Sequence, residues 1–305
     1  AEFGSARVCG DLSSNHGRSI ARSFVQNICD AVGAVAFAKE SEWEYALPEF
    51  EKPIKTVSVG LDGTCMLMME DGYRQAMVGT IALFDRDGER QFTLYTAAVP
   101  EYGKETFVKR LDNEVNKMKK LYPKANFVGL ADGAKDNWDF LKPRTDTQIL
   151  DFYHVTEYLS SASEVMFPGK KNYPMKKEWL DSSCHDLKNT PRTPLRLLKE
   201  LKSFKDESKK NGEDKEKLDR AITYFENNRH MMNYPDAIEQ NLPIGSGVTE
   251  AACKVIVKQR LCEAGMKWRE RGAAVVLTLR ALSHTTDRWD QFWRKIDRFG
   301  FPDAA

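Results

Sequence analysis

From Ser14 to about Lys39, the apolar residues Ile20, Phe24, Val25, Ile28, Val32 and Val35 recur three and four positions apart. This spacing predicts one amphipathic helix leading into an acidic, proline-containing linker that ends at Pro53. The period then changes. Ile54–Leu61, Cys65–Met69, Arg74–Phe84 and Gln91–Val99 are β-rich runs, with the hairpin signals Asp71-Gly72 and Asp87-Gly88 between them. They predict three antiparallel strands, the first open to a split near Gly63. Lys104–Tyr122 returns to helical spacing through Phe107, Leu111, Val115 and Met118, and Pro123 closes it. A short apolar strand at Phe127–Ala131, a short helix around Trp138–Leu141 and a strand at Gln148–Phe152 follow. The expected class is therefore α/β, a mixed sheet of three antiparallel and two parallel strands with flanking helices.

After Tyr153 the strand-like runs stop. The chain to about Asn241 is helical and charge-rich, which reads as an all-helical insertion over 161–241. Leu242-Pro-Ile-Gly-Ser-Gly247 breaks the chain, and helical periodicity resumes at Val248–Cys262, with Ser246 placed to cap it, and at Ala273–Thr286. The expected organisation is an N-terminal helix and linker (1–53), a first core segment (54–160), the insertion, and C-terminal core helices (242–305). Ala1-Glu-Phe-Gly-Ser5 reads as a cloning scar, and no basic segment with a following apolar run, as in a secretory signal, comes after it.

Composition narrows the function classes. Lys+Arg number 46 against 45 Asp+Glu, a formal charge of +1, which argues against a tail-type nucleic-acid binder while leaving room for local basic faces. No run reaches the roughly 20 apolar residues of a membrane span, so a membrane partner is not expected and a cytoplasmic location is. The six cysteines form no C-x-x-C pair, and all six are expected to be free thiols.

Two aspartates end strand runs, Asp62 in Val57–Gly63 and Asp132 in Val128–Gly133. On neighbouring strands their carboxylates would project at one sheet edge, where ligand groups gather. Asp-Gly is also a plain turn pair, the reading that fits Asp71 and Asp87, but a helix rather than a returning strand follows Asp132. The third acid, Glu250, lies in the first turn of the helix opened by Gly245-Ser246-Gly247. There it either offsets the helix dipole, in a ladder with Lys254 and Lys258, or borders a groove, opposite a buried stripe of Val248, Ala251, Ala252, Val255 and Cys262. Two aspartates and a glutamate are hard oxygen donors of the kind that hold Mg²⁺, and two such ions suit an in-line phosphoryl displacement.

The block Leu130-Ala-Asp-Gly-Ala-Lys-Asp-Asn-Trp138, the segment Asp151-Phe-Tyr-His-Val-Thr-Glu-Tyr158, and Leu242-Pro-Ile-Gly-Ser-Gly-Val-Thr-Glu-Ala-Ala-Cys-Lys254 with Gln259-Arg-Leu and Gly265-Met-Lys-Trp268 resemble bacterial DDE transposases of the ISKra group of insertion sequences. The resemblance runs from about residue 12 to Trp289-Asp-Gln-Phe-Trp293. It implies a ribonuclease-H-like catalytic core, a fold that the order of predicted elements also matches, interrupted by a helical insertion. Asp62, Asp132 and Glu250 match the DDE triad and would bind the metal, two Mg²⁺ ions, with Mn²⁺ able to substitute. Asp151 and His154 match a D-x-x-H element that places His154 at the site; the alternative is a capped helix start, with Asp151 as cap. The implied partners are transposon-end and target DNA, with a homodimer in the synaptic complex and association with the bacterial nucleoid. A separate end-binding domain, usual in such enzymes, is not apparent before Asp62.

Arg260, Lys267, Arg269 and Arg271 with Trp268 form a basic, aromatic-bearing segment able to grip phosphates and stack on a base, Trp268 being at least as well suited to anchor an interface or the core, and Lys254 and Lys258 would each add a phosphate contact along the DNA. The insertion lysines Lys170, Lys171, Lys176, Lys177, Lys209 and Lys210 alternate with acids and read as a solvated face. His185 and His230 read as ordinary histidines and Cys253 as packing. A nuclease that cuts without joining and a domesticated DNA-binding relic are the competing readings; a nucleotide-binding relative is disfavoured because no G-x-x-x-x-G-K loop is present.

Overall fold

The computed structural model describes residues 3–40, 42–101, 104–208 and 211–301. Lys209 and Lys210, together with Ala1 and Glu2 of the expected scar, lie outside the described residues. The strands form a five-stranded mixed sheet in the order β3-β2-β1-β4-β5, flanked by helices, consistent with a ribonuclease-H-like fold. The chain divides into two compact units, one of Ala1–Asp85, Arg90–Ala125 and Val248–Ala305, the other of Arg86–Glu89 and Asn126–Gly247.

The first unit opens with two helices where the periodicity predicts one, α1 (Ser5–His16) and α2 (Arg22–Ala38). Gly17 ends α1 in the left-handed region at φ 62°, its N–H bonded to the Leu12 carbonyl, a conformation that glycine adopts without a Cβ penalty. Helix α2 buries Val32, Val35 and Ala36 among Val275 and Leu279 of α12 (Glu270–His284) and Phe292 and Ile296 of α13 (Arg288–Phe299). Gly33 is the closest approach, because a Cβ there would stand 2.4 Å from Val275 Cγ1.

Strands β1 (Thr56–Met68), β2 (Gly72–Phe84) and β3 (Arg90–Ala98) form the antiparallel meander. β1 runs unbroken through Gly63, which pairs with Met77, so the expected split is absent. Asp62 therefore sits mid-strand, opposite Val78, rather than at a strand end. The turn glycines Gly72 and Gly88 both have positive φ, as the Asp-Gly signals require. Helix α3 (Glu105–Leu121) buries Phe107, Leu111, Val115 and Met118 and packs on β2 and β3. The other meander face carries Met66, Met68, Ala76, Val78 and Ala97, in one core with Cys253, Ile256, Val257 and Leu261 and with Ala273, Val276 and Leu277 of α12.

In the second unit, β4 (Asn126–Ala131) and β5 (Thr147–Leu150) pair in parallel, connected through α4 (Lys135–Leu141). Helices α5 (Phe152–Met166), α6 (Tyr173–Asn189), α7 (Thr193–Ser208), α8 (Gly212–Asn228) and α9 (Tyr234–Glu239) follow, with Leu159, Leu187, Leu197, Leu201, Leu218 and Phe225 fully buried. Tyr234, also fully buried, donates to the Leu150 carbonyl at 3.0 Å and meets the Phe152 ring edge to face, tying α9 to the end of β5.

The α2–α12 contact gives a direct test. Gly33→Ala is expected to cost about 1–3 kcal/mol through overpacking, and Val275→Ala placed with it to recover part of that loss, read by urea unfolding. Additive losses in the double variant would refute the close approach.

Candidate active site

In the first unit, Asp62 is half-buried on β1, on the face that packs against the C-terminal helices. Its Oδ1 accepts the Gly63 N–H at 2.6 Å, and its Oδ2 lies 3.7 Å from the Cys253 thiol. Cys253 belongs to a π turn (Cys253–Lys258) between α10 (Gly247–Ala252) and α11 (Gln259–Leu261). Burial, reinforced by the Asp62 carboxylate, pushes the thiol pKa up to about 12, with a smaller push from Glu250 and opposition from Lys258. Cys253 is thus a protonated donor toward Asp62. The sequence predicts only packing for this residue; it packs, and it also contacts the acid.

Glu250 is exposed in the first turn of α10, and Lys254 and Lys258 are exposed four and eight residues on, as expected. The buried stripe is a different one, Thr249, Ala252, Cys253, Ile256, Val257 and Leu261, while Ala251 and Cys262 are exposed. A polar residue begins that stripe and hides it from hydrophobic counting: the Thr249 hydroxyl is 2.7 Å from that of Thr80 on β2, both buried. Downstream, Arg280 of α12, 2% exposed, donates to the carbonyls of Ile256 and Val255 at 3.0 and 2.6 Å, inside the π turn. Together these contacts fix the orientation of the Glu250 helix on the meander.

Of the other basic residues, Lys267 and Arg269 are exposed and Arg260 is half-buried, as is Trp268 between them. Trp268 extends the end of β1: its N–H bonds the Leu67 carbonyl at 3.0 Å and its carbonyl accepts the Met69 N–H at 2.9 Å. Its indole N–H donates to the Leu261 carbonyl at 2.9 Å and Arg260 covers the ring at 5.1 Å, so the side chain serves as an anchor here.

In the second unit, Asp132 directly follows β4 and is half-buried. Its Oδ1 accepts the Ala134 N–H and the Asn137 Nδ2–H, both at 3.0 Å, while its carbonyl accepts the Trp138 indole N–H at 2.6 Å. Asn137 and Trp138 are thus positioning residues that no chemical motif singles out, although both lie in the Leu130–Trp138 block. Asp151 is fully buried and caps α5, Oδ1 accepting the Tyr153 N–H at 2.8 Å and Oδ2 accepting the Ser246 hydroxyl. The capped-helix alternative describes it. The Phe152 N–H bonds the Ile244 carbonyl at 2.9 Å, and a Cβ on Gly245 would stand 2.7 Å from the Tyr153 ring, so the Leu242–Gly247 break docks on this cap.

His154, in the first turn of α5, has Nδ1 3.1 Å from Glu157 Oε2. Burial pulls the imidazole pKa down, but Asp151, Glu157 and Asp132 outweigh it, and the net shift is upward.

Asp62 and Glu250 in the first unit and Asp132 in the second each carry carboxylate oxygens, the hard donors that Mg²⁺ prefers, and the fixing of Asp132 Oδ1 by two N–H donors leaves Oδ2 as its further donor atom. The Cys253 thiol beside Asp62 is held protonated, which makes it a poor ligand, so the donor chemistry fits Mg²⁺ or Mn²⁺ better than a soft metal. In comparisons with known proteins, neither a family model nor a curated protein matches the chain.

The buried thiol yields a prediction. Iodoacetamide at mildly alkaline pH is expected to label exposed Cys65 and Cys262 in the native protein and Cys253 only after unfolding, read by peptide mass spectrometry. Rapid native labelling of Cys253 would contradict the assignment.

Proposed function

We propose that the chain is the catalytic core of a DNA transposase of the DDE type, resembling the ISKra group, which hydrolyses a phosphodiester at the transposon end and joins the freed 3′ hydroxyl to target DNA. The observation that carries the reading is the sheet order: Asp62 lies on β1, Asp132 follows β4, the next strand in that order, and Glu250 opens a helix of the C-terminal segment. An all-helical stretch between the second and third acids adds support. No helix among the described residues is long and apolar enough to cross a membrane.

Asp62, Asp132 and Glu250 would hold the cations. A divalent cation, when bound, offsets phosphate charge and activates the attacking oxygen. The chain's own residues do the rest. The Ala134 N–H and Asn137 amide keep Asp132 oriented, and the Cys253 thiol donates toward Asp62 without competing as a thiolate. Lys254 and Lys258, exposed on the Glu250 face, supply sequence-independent phosphate contacts, with Lys267 and Arg269 beyond them. In the first step a water oxygen attacks phosphorus and the 3′ oxygen leaves, taking up a proton; in the second, that 3′ hydroxyl attacks a target phosphodiester, losing its proton, and the target strand's own 3′ oxygen leaves. Processing two ends together calls for a homodimer.

The test is cleavage and joining of labelled DNA carrying the element's ends in Mg²⁺ or Mn²⁺. Asp62→Asn, Asp132→Asn and Glu250→Gln are each expected to lower the rate by about 10³-fold or more while leaving DNA binding intact. Cutting without joining would favour the nuclease reading, and undiminished cutting by any of the three variants would refute the triad.

A further inference from the structure

The proposed function leaves two thiols unused, and the fold of the first unit brings them together. Of the six cysteines, Cys65 and Cys262 are the exposed ones, although they stand 197 residues apart in the chain. Cys65 lies on β1, on the Met68 side of Asp62, and Cys262 directly follows α11, at the far end of the helical run that begins with Glu250. The Cys262 thiol donates to the Cys65 carbonyl at 3.5 Å.

The open edge of β1 sets that contact. Carbonyls of alternate residues along a strand point to the same side. The Leu67 carbonyl, next in line after that of Cys65, accepts the Trp268 N–H at 3.0 Å, and the Trp268 carbonyl accepts the Met69 N–H at 2.9 Å. On the other side of Cys262, Leu261 is fully buried and its carbonyl accepts the Trp268 indole N–H at 2.9 Å. Cys262 is thus held to this edge from both directions. A cysteine's carbonyl oxygen and its sulfur are one side chain apart, so the sulfur that touches the Cys65 carbonyl comes within reach of the Cys65 sulfur by rotation of the two exposed side chains. The thiols also sense each other: burial raises the Cys262 pKa, Lys258 opposes the rise and Cys65 adds to it.

We propose that Cys65 and Cys262 are a redox modification site that closes to an intramolecular disulfide by exchange with a low-molecular-weight disulfide. One protein thiolate attacks a sulfur of the small disulfide and expels one small thiolate; the second attacks the protein sulfur of the mixed disulfide and expels the other. The protein pair is oxidised, the small disulfide is reduced, and the two protons given up by the protein end on the two small thiols. The new bond fastens the strand of Asp62 to the helical run of Glu250. This goes beyond the transposase reading and does not depend on it.

The test incubates the full chain with oxidised glutathione, then applies peptide mass spectrometry without reduction and thermal melting before and after dithiothreitol. The expected product is a Cys65–Cys262 linked peptide pair within one copy, with a melting midpoint about 3 °C or more above that of the reduced protein, because the bond closes a long loop, and with full reversal by dithiothreitol. Cys65→Ser and Cys262→Ser are each expected to keep the midpoint of the reduced protein and to carry glutathione on the remaining exposed thiol. Stable glutathione adducts on both thiols of wild type, or a link between two copies, would overturn the proposal. A linked pair without the rise in midpoint would overturn it as well, because the bond would then have captured an opened edge.

Discussion

The buried guanidinium of Arg280 holds the helix of Glu250 in the shape that the first unit requires. A charge at 2% exposure is tolerated only where hydrogen bonds replace its hydration, and Arg280 finds two of them in the carbonyls of Val255 and Ile256. Hydrogen bonds from charged donors contribute about 1.5–3 kcal/mol each. Both carbonyls lie in the π turn, where the α-helical ladder is interrupted. The same turn presents Cys253 to Asp62, while the Thr80–Thr249 bond fixes the helix one residue before Glu250. Remove the guanidinium, and the turn that presents Cys253 to Asp62 loses these two hydrogen bonds.

The second unit orients its acids by a different device. Here neutral N–H and O–H donors do the work: the Ala134 N–H and Asn137 amide for Asp132, the Tyr153 N–H and Ser246 hydroxyl for Asp151. The division of labour follows from burial. Asp151, fully buried, has both oxygens bonded and acts as a structural cap, whereas half-buried Asp132 has its two side-chain hydrogen bonds on one oxygen. The upward shift of the His154 pKa records how acidic this region is despite the burial of the ring.

Much of this fold is legible in the sequence because simple periods encode it. Alternation and Asp-Gly turns mark the meander, and spacing of three and four marks α3. Local exceptions escape those periods. Gly17 stops α1 although apolar residues continue beyond it, since only its left-handed conformation, not its neighbours' hydropathy, ends the helix. Asp62 and Gly63 look like a strand end and a turn, yet β1 runs on to Met68, because pairing with Val78 and Met77 carries the backbone through them. The buried stripe of α10 is hidden by Thr249, a polar residue whose partner lies on another element. The candidate acids are visible as residue types, but their support is not: Asn137 and Ser246 are ordinary polar positions until the fold places them.

The central proposal is that Asp62, Asp132 and Glu250 are each required for binding of the catalytic cation. Equilibrium titration with Mn²⁺, followed by the electron paramagnetic resonance of the free ion, tests it most directly in wild type, Asp62→Asn, Asp132→Asn and Glu250→Gln. The account predicts that each single substitution weakens the same class of sites by about 10-fold or more. Mn²⁺ binding that survives Asp132→Asn unchanged while disappearing with Asp62→Asn would contradict it, because the acids would then belong to separate sites.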